Sequence, residues 1–362
     1  MRIDRRVLSD ALCTLTRVAP TNGALPILRS VRLEAANDVL TLTATDLDQR
    51  LTAELPAETP QPLTACLPAK MLATVVKPDC KADNGSVEIE PVGNDVFAVT
   101  LDDVTTRLFG LPPDDFPAVL GPANLDWIMA AVWPAEPLCE SLSFILPAIS
   151  RDETRPVLNG AYFTGDAIAA TDGHRLHKAP LPGLLAEKMV VPRAACETLH
   201  RLLADADQVV MARAEEHLRL RVGCWTLETR LIDGEFPDIK HVIPARRGLP
   251  LKLTLDTKVF DKALARISKL SSDGRLKVTV NGNVTLATWD AEHGEAEIEV
   301  PAAASNHKKS NDFVTGFDGG YLRDALKAGE ELVDVGFSWD PVLPMRMDGG
   351  DGRVAVVMPM RV

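Results

Sequence analysis

The residues best suited to chemistry lie together at 171–177, in the segment TDGHRLH. An aspartate beside two histidines could perform acid–base catalysis, or the histidines could bind a metal ion. The segment TDLDQRL at 45–51 stands in the corresponding place earlier in the chain, and it keeps an aspartate and an arginine but neither histidine. Because aspartate bonds its own nearby backbone and glycine adopts unusual dihedral angles, a structural turn explains Asp172 better. An enzyme using Asp172 and His174 as acid and base stays as an alternative.

Other catalytic and cofactor-binding patterns are absent from the sequence. It contains no phosphate-binding loop of the form GxxxxGK[ST], no HExxH, no GxSxG and no GxGxxG. The cysteines are far apart, without a CxxC pair or a histidine spacing that would complete a zinc site. We therefore expect no cofactor and no metal. We interpret as reduced thiols the residues Cys13, Cys66, Cys80, Cys139, Cys196 and Cys224.

The composition is that of an ordinary globular protein with an excess of acidic residues. The chain has 362 residues, 46% hydrophobic and 25% charged, and this length predicts two or three domains. A formal net charge of -12 disfavours a protein that binds nucleic acid tightly over its whole surface, although local basic faces are compatible with it. The sequence has no long apolar run and no apolar signal core, which favours a cytoplasmic location.

The sequence repeats itself at a spacing of about 120 to 126 residues. This period is too long for a solenoid repeat, so each copy must be a whole domain. A fainter third copy of one motif, at 287–290, predicts three copies in all. The clearest pairs are TRL at 106–108 and 229–231, DFP at 115–117 and EFP at 235–237, ATD at 44–46 and 170–172, and LPAK at 67–70 and VPRA at 191–194.

Each copy is predicted to contain helices and several strands. Apolar and polar residues alternate at 31–35, 218–222 and 276–280, a pattern typical of strands with one buried face. A weak helical pattern lies at 4–19, and a stronger one at 257–270 predicts a helix that packs inward and shows a basic outer face. Its apolar stripe contains Val259, Phe260, Ala263, Leu264, Ile267 and Leu270, and its basic stripe contains Lys258, Lys262, Arg266 and Lys269.

Clusters of turn-forming residues predict the domain boundaries. They occur from Pro112 to Pro122 and from Pro244 to Pro250. The predicted fold class is α+β, with three similar domains, each near the common domain size and each with two helices packed on antiparallel sheets. The predicted domains are residues 1–122, 123–248 and 249–362.

Several segments, in the right order along the chain, resemble the bacterial beta sliding clamps, the family of DNA polymerase III beta subunits. They are LPIL at 25–28, ATDGHRL at 170–176, DGEFPD at 233–238 and VMPMRV at 357–362. The resemblance covers essentially the whole chain. It implies three DNA-clamp domains per chain and two chains joined head to tail into a closed homodimeric ring with pseudo-sixfold symmetry.

The resemblance implies a function that needs no reactive group. Clamps of this family encircle duplex DNA, confer processivity on DNA polymerase III, and tether other factors whose short peptides bind a hydrophobic cleft. The implied localisation is the cytoplasm, in association with the nucleoid and without a membrane partner. The implied partners are duplex DNA held topologically, a second copy of the chain, a clamp-loader ATPase complex, the DNA polymerase III alpha subunit, and other polymerases or repair factors with clamp-binding peptides.

The resemblance also assigns the residues that line the cleft. Met358 and Met360 are the most informative, because methionine offers an adaptable surface to varied apolar side chains. A simple final strand is the alternative explanation for them. Carried over position by position, the lining consists of Val157, Leu158, Thr171, Gly173, His174, Arg175, Leu176, Pro237, Val242, Tyr321, Pro344, Met358, Pro359, Met360 and Arg361.

The same resemblance assigns residues to the ring contact and to its inner wall. The contact between subunits would join the first domain near Leu108 to the third near Leu270, through sheet edges whose unpaired backbone groups can dock. The helices would line the hole, and the basic stripe of the helix at 257–270 fits that position. An ordinary solvated face is the alternative for each basic residue. The implied DNA-facing residues are Arg193, Arg201, Lys258, Lys262 and Arg266.

In several places the chain departs from the clamp pattern. Pro156 and Val157 stand where many clamps carry an aromatic pair, His241 stands where an arginine is common, and Asn22 replaces a DNA-facing arginine. These departures leave the peptide preference of the cleft open. A divergent second-copy clamp, or a clamp-like adaptor that binds the same peptides without closing a ring, is the alternative to the main replication clamp.

Overall fold

Antiparallel strands and short helices make up the chain in the computed structural model. In the part of the chain that the structure describes, no helix is long and apolar enough to span a membrane. Cys80, the predicted boundary at 122–123 and Val362 lie outside that part. The described residues are 1–22, 25–78, 85–117, 120, 126–271, 273–290, 294–305 and 313–361.

The strands include the three segments predicted from alternation, at 31–35, 218–222 and 276–280, and they confirm these predictions. In chain order, the described strands are β1 (Arg2–Asp4), β2 (Ser30–Ala36), β3 (Val39–Thr45), β4 (Gln49–Pro56), β5 (Leu63–Pro68), β6 (Ser86–Gly93), β7 (Val96–Leu101), β8 (Val104–Phe109), β9 (Ile128–Pro134), β10 (Gly160–Thr171), β11 (Arg175–Pro192), β12 (Gln208–Ala214), β13 (His217–Val222), β14 (Trp225–Arg230), β15 (Leu251–Asp256), β16 (Arg275–Val280), β17 (Val284–Asp290), β18 (Gly294–Val300), β19 (Ala303–Ser305), β20 (Phe313–Asp318), β21 (Leu332–Phe337), β22 (Met345–Asp348) and β23 (Val354–Val357).

Several helices begin at an aspartate whose carboxylate accepts hydrogen bonds from first-turn amides, which satisfies donors that the helix itself leaves free. Asp4 precedes the first helix, Asp256 the sixth and Asp318 the seventh. The predicted helix at 4–19 is confirmed. The described α-helices are α1 (Arg5–Val18), α2 (Ala69–Val76), α3 (Ala135–Ile145), α4 (Arg193–Leu203), α5 (Ile239–Val242), α6 (Thr257–Ile267) and α7 (Gly319–Ala325).

The same order of elements recurs three times among the described residues. Each copy has one strand, a helix, further strands, a second helix and three final strands, and the copies start at β1, β9 and β15. This order confirms an α+β fold built from similar antiparallel units. The repeated motifs at 115–117 and 235–237 also share a structural role, because Phe116 and Phe236 are both buried core residues. The exact domain boundaries remain a prediction.

Residues 1–136 and 197–231 form one compact unit. Its described strands make a four-stranded sheet in the order β1-β6-β7-β8 and an eight-stranded sheet in the order β5-β2-β3-β4-β14-β13-β12-β9. Strands of the first and second copies meet where β4 pairs with β14, with Leu51 opposite Leu227. Helix α1 buries Leu8, Leu12 and Leu15 as its apolar face.

Residues 137–196 and 232–362 form the other compact unit. Its described strands make a seven-stranded sheet in the order β10-β11-β23-β22-β21-β15-β19 and a four-stranded sheet in the order β18-β17-β16-β20. Strand β11 of the second copy pairs with the terminal strand β23, and Leu176 stands opposite Val356. This pairing fixes the end of the chain beside the segment that the sequence singled out for its chemistry.

Helix α6 differs from its prediction at both ends of the apolar stripe. Phe260, Ala263, Leu264 and Ile267 are buried as expected, but Val259 and Leu270 are exposed. Successive side chains in a helix point about 100° apart, so Val259 faces solvent although its neighbour Phe260 faces the core. Leu270 lies beyond the last helical residue, so the helical period no longer governs it.

Candidate functional site

The segment at 171–176 is a tight turn between β10 and β11. Asp172 Oδ1 accepts hydrogen bonds from the backbone amides of His174 and Arg175, at 2.9 and 3.0 Å. The hydroxyl of Thr171 donates to the carbonyl of Arg175 at 2.7 Å and accepts from the amide of Gly173 at 3.1 Å. Gly173 has φ of +91°, a left-handed conformation that favours glycine. The turn therefore uses both polar side chains to hold its own backbone.

The corresponding turn at 45–49 makes the same hydrogen bonds. Asp46 Oδ1 accepts from the amides of Asp48 and Gln49, and the Thr45 hydroxyl donates to the Gln49 carbonyl at 2.7 Å. Leu47 takes the left-handed conformation of Gly173, with φ of 82°. The bonding aligns Gln49 with Arg175, and the arginine of the earlier segment, Arg50, lies one residue further on. A turn without histidine has the same structure, which gives Asp172 a structural role.

Arg175 is held by three separate acceptors. Its Nε donates to Asp172 Oδ2 at 3.0 Å, one terminal nitrogen donates to Asp324 Oδ2 at 2.7 Å, and the other donates to the carbonyl of Pro147. Only 12% of the side chain is exposed. A planar guanidinium with its donors fixed in three directions presents a rigid face.

That face supports the aromatic ring of Tyr321 on α7. The guanidinium carbon of Arg175 lies 4.3 Å from the centre of the ring, a cation–π contact. The imidazole ring of His174 stacks against the ring of Tyr321, with 6.5 Å between the two ring centres. Burial, together with the charge of Asp172, raises the pKa of the Tyr321 hydroxyl. Tyr321 is thus a neutral, half-buried platform beside the turn.

Leu176 belongs to an apolar cluster next to the turn. Val157 and Leu158 pack there, and Leu176 is almost fully buried. Tyr162 stacks on Phe236 with ring centres 4.8 Å apart. Pro237, which follows Phe236, and Val242 are also predicted to line the cleft, and both are exposed. The remaining core members are Ala169, Val190, Ile239 and Val356.

The C-terminal segment beyond β23 runs along the turn. The amide of Met358 donates to the carbonyl of His174 at 2.8 Å, and the amide of Met360 donates to the carbonyl of Gly316 at 2.8 Å. Both methionine side chains remain partly open to solvent, at 38% and 36% exposure. Pro359 and Pro344 are half-buried, and Arg361 is exposed. Backbone bonds therefore hold two apolar, adaptable side chains in place, Met358 next to His174 and Met360 next to Gly316.

Arg155, which precedes Pro156, and His241 both have polar partners. Arg155, just before Pro156, donates to Asp152 at 2.9 Å and to the carbonyl of Asp172 at 3.1 Å, so its guanidinium covers Gly173. Hydrogen bonds from Thr154 and Arg155 lower the pKa of Asp152 to about 2. His241 is exposed and its ring Nδ1 lies 2.9 Å from Asp238. The side of the site next to Val157 is thus bounded by an ion pair.

His177 takes no part in the surface of the site. It is fully buried, stacks on Phe144 at 4.6 Å between ring centres, and its Nδ1 bonds the Phe144 carbonyl at 2.7 Å. Burial lowers the pKa of His177 to about 4. Among the described residues, no cluster of histidine, cysteine, aspartate or glutamate side chains could hold a metal ion.

The predicted DNA-facing residues differ in their surroundings. Lys258, Lys262 and Arg266 recur every four residues on the exposed side of α6. Arg201 is exposed on α4, where partial burial and the nearby charge of Arg17 lower the pKa of its guanidinium. Arg193 is half-buried and donates to the carbonyl of Ile149 at 2.7 Å, so it also has a structural role.

The two residues predicted to lie at the contact between subunits, Leu108 and Leu270, differ in their exposure to solvent. Leu108 on β8 is only 5% exposed, because its side chain points into the core of its own unit. The next residue, Phe109, is 75% exposed. Leu270, just after α6, is 52% exposed. On β8, the exposed apolar side chains of Phe109 and Val104 are therefore available to a second chain, whereas that of Leu108 is not.

Sequence reasoning missed the acidic residues that hold the site together. Asp318 accepts from the amide of Tyr321 at 2.9 Å and thereby caps α7. An aspartate before a helix is a local signal, so this one could have been found. Asp324 gives no local signal, because its partner Arg175 is 149 positions away in sequence.

Comparisons with known proteins identify the family of the chain. Family models of the DNA polymerase III beta subunit match residues 1–120 (N-terminal domain) and 136–238 (central domain). The chain is 30% identical over 383 residues to the beta sliding clamp of Caulobacter vibrioides, with 100% of both chains covered. It is 30% identical over 379 residues to that of Pseudomonas aeruginosa, with 99% of both covered.

Solved structures give the same result. The crystal structure of the sliding clamp from Bartonella birtlesii bound to griselimycin is 27% identical, with a TM-score of 0.90 over 100% of this chain and 99% of that one. The clamp from C. crescentus is 29% identical, with a TM-score of 0.89 over 100% of this chain and 98% of that one. This chain belongs to the beta sliding clamp family, the beta subunits of DNA polymerase III.

Proposed function

We propose that this protein is a sliding clamp that encircles duplex DNA and tethers DNA polymerases to it. The main support is that the turn at 171–176, which carries Leu176 of the apolar cluster, contacts Tyr321 through Arg175 and Met358 through a backbone bond to His174. We infer that these side chains, together with Met360, form one apolar surface. Such a surface suits short linear peptides, because it joins an apolar cluster to adaptable methionines and a rigid aromatic platform. No reactive group is required, and the protein acts as a non-catalytic accessory subunit.

The cleft takes one extended peptide per chain. An aliphatic or aromatic anchor of the peptide packs over Leu176 and Leu158, and a second apolar side chain lies between Met358 and Tyr321. The peptides belong to the DNA polymerase III alpha subunit, to other polymerases and repair factors, and to the clamp loader. The loader supplies the ATPase, since this sequence has no phosphate-binding loop.

DNA is held by topology and only weakly by charge. A net charge of -12 repels phosphate, so affinity alone does not retain the protein on DNA. The basic side chains of α6 make sequence-independent phosphate contacts that leave the duplex free to slide. Such a protein works in the cytoplasm, in association with the nucleoid.

The ring closes by head-to-tail association of two chains, each with three domains at 1–122, 123–248 and 249–362. Two strands support this arrangement, since β8 and β18 are the last described strands of their four-stranded sheets. An edge strand offers unpaired amides and carbonyls to a second chain. Phe109 beside one edge and Leu270 near the other supply apolar contact.

Retention on circular DNA tests this function. The protein is loaded onto a plasmid by the clamp loader of its own organism and washed with concentrated salt. We expect it to stay on the closed circle, because salt weakens phosphate contacts but not topology. Cutting the plasmid should release it, whereas a single nick, the matched control, should not. Equal loss from circular and linear DNA would contradict the proposal.

A further inference from the structure

We propose that Asp324 is a positioning residue of the cleft, in that it holds Arg175 in place beneath Tyr321 and so sets the wall against which a bound peptide packs. This inference rests on the proposed function, because it concerns the peptide-binding cleft. Asp324 is not among the residues that the family resemblance assigns to the cleft. Its effect on binding is therefore indirect and acts through Arg175.

The geometry comes from one turn of helix. Tyr321 and Asp324 are three residues apart on α7, so they lie on the same face of the helix. The guanidinium of Arg175 fits between them, with its carbon 4.3 Å from the Tyr321 ring centre and a terminal nitrogen 2.7 Å from Asp324 Oδ2. One helix thus supplies both the ring above the guanidinium and the carboxylate at its edge.

The surroundings make the contact strong. The side chain of Asp324 is 27% exposed, and Arg175 is more buried, so water screens their attraction only in part. Burial opposes the charge of Asp324, but hydrogen bonds from Lys327 and Arg175 outweigh it, and the pKa of Asp324 is lowered. The carboxylate is therefore charged at neutral pH and pairs with Arg175.

Loss of this charge changes the cleft. Asp172 and the Pro147 carbonyl would still hold two sides of the guanidinium, but the side toward α7 would have no anion. The guanidinium would then turn toward water and leave the Tyr321 ring without its support. A peptide would meet a mobile platform in place of a rigid one, and ordering it costs affinity.

The test measures binding of two probes, griselimycin and the C-terminal peptide of the organism's own DNA polymerase III alpha subunit, to the full-length protein. Asp324→Asn keeps the size of the side chain and removes its charge. We expect about tenfold weaker binding of both probes, the usual effect of losing one charged hydrogen bond. Asp324→Glu, which restores the carboxylate, should recover most of the affinity.

Two matched variants separate positioning from general damage. Asp261→Asn removes a carboxylate that lines a surface pocket together with Asp324 but bonds Arg323, at 2.6 Å, and not Arg175. Lys327→Gln removes the other partner of Asp324, whose bond is 3.1 Å, and leaves the pair with Arg175 intact. Both should bind the probes within about twofold of the wild type, with unfolding temperatures like that of Asp324→Asn.

The outcomes are distinguishable. If the wild type binds both probes and Asp324→Asn binds them equally well, the positioning role is wrong. The same conclusion follows if Asp261→Asn weakens binding as much as Asp324→Asn, or if Asp324→Glu recovers nothing. If the wild type binds neither probe, the proposed peptide-binding function itself fails.

Discussion

At the scale of single residues, His177 has an unusual environment for an ionisable group. Its Nδ1 faces the carbonyl of Phe144, which only accepts, so the neutral ring carries its proton there. Its Nε2 is buried and has no partner among the described atoms. A second proton at that nitrogen would be neither solvated nor hydrogen-bonded, which is why burial lowers the pKa of His177 to about 4.

This burial predicts a loss of stability in mild acid. In the unfolded chain a histidine has a pKa of about 6.5, so between pH 6.5 and pH 4 the unfolded state binds a proton that the folded state does not. The stabilisation is complete above that range and declines as pH falls, by about 2 kcal/mol from pH 7.5 to pH 5. Urea unfolding at the two pH values measures the decline.

The variant His177→Phe keeps a ring against Phe144 and has no site to protonate. It should be less stable at pH 7.5, because it loses one hydrogen bond, but its stability should fall less on acidification. His241→Gln removes an exposed histidine and should leave the decline as it is in the wild type. A decline unchanged by His177→Phe would contradict the assigned role.

Residue roles could be predicted from sequence where the partners are close in the chain. The turn at Asp172 is such a case, because its backbone bonds reach only two and three residues ahead and an earlier copy of the turn lacks histidine. Arg175 was assigned to the cleft by resemblance, but its anchors Pro147 and Asp324 are 28 and 149 positions away. No local pattern encodes such contacts, since the fold alone brings them together.

At the scale of elements, the end of the chain has two roles. Strand β23 pairs with β11 and belongs to the seven-stranded sheet. The residues after it leave the ladder, and bonds to His174 and Gly316 hold Met358 and Met360 over the surface. The interpretation as a final strand thus applies to residues up to Val357, whereas the proposed cleft uses the residues beyond it.

A chain that ends at Val357 should fold and associate normally but bind the polymerase peptide at least tenfold more weakly. The sheet remains complete in this truncated protein, whereas both methionines that would contact the peptide are gone. Fluorescence anisotropy of a labelled peptide measures the affinity. A chain that ends at Arg361, and so lacks only Val362, is the matched control and should bind almost normally. Normal binding by the shorter chain would show that the cleft is assigned wrongly.

Helix α6 shows what amphipathic pattern can predict. The pattern located the helix and most of its buried face, because burial against the sheets repeats with the helical period. It could not predict that Val259 and Leu270 are exposed, since that depends on where the helix ends and on the width of the buried stripe. The basic residues Lys258, Lys262 and Arg266 lie on the solvent side, as expected.

Reversing the charges of Lys258, Lys262 and Arg266 to glutamate should weaken the affinity of the protein for duplex DNA and reduce the salt dependence of that affinity. Each lost phosphate contact lowers the salt slope by about one unit. Lys277→Glu alters an exposed lysine of β16 outside the helix and serves as the control. Equilibrium binding to a short linear duplex, which cannot hold the protein topologically, measures the effect at several salt concentrations. An unchanged slope would place α6 away from the DNA.

At the scale of the whole molecule, the proposed activity depends on association of two chains, and the edge strands are the features that could provide it. Strand β8 carries Val104 and Phe109 as exposed apolar residues, although most of its neighbours in the sheet are well packed. An apolar edge with free backbone groups is an aggregation hazard in a monomer. A partner that covers the edge in the working state removes this hazard, which is the physical reason to expect ring closure here.

Phe109→Asp should convert the proposed dimer to a monomer, because it would bury a charge without a partner at the proposed contact between subunits. Sedimentation at micromolar concentration should give twice the 39.2 kDa chain mass for the wild type and the single mass for the variant. Leu184→Asp alters an equally exposed apolar residue outside the proposed contact and should remain dimeric. The monomer should still bind the polymerase peptide, since the cleft lies within one chain, but it should not stay on circular DNA after a salt wash. A wild type that is itself monomeric, with an intact cleft, would identify the protein as an adaptor and not as a ring.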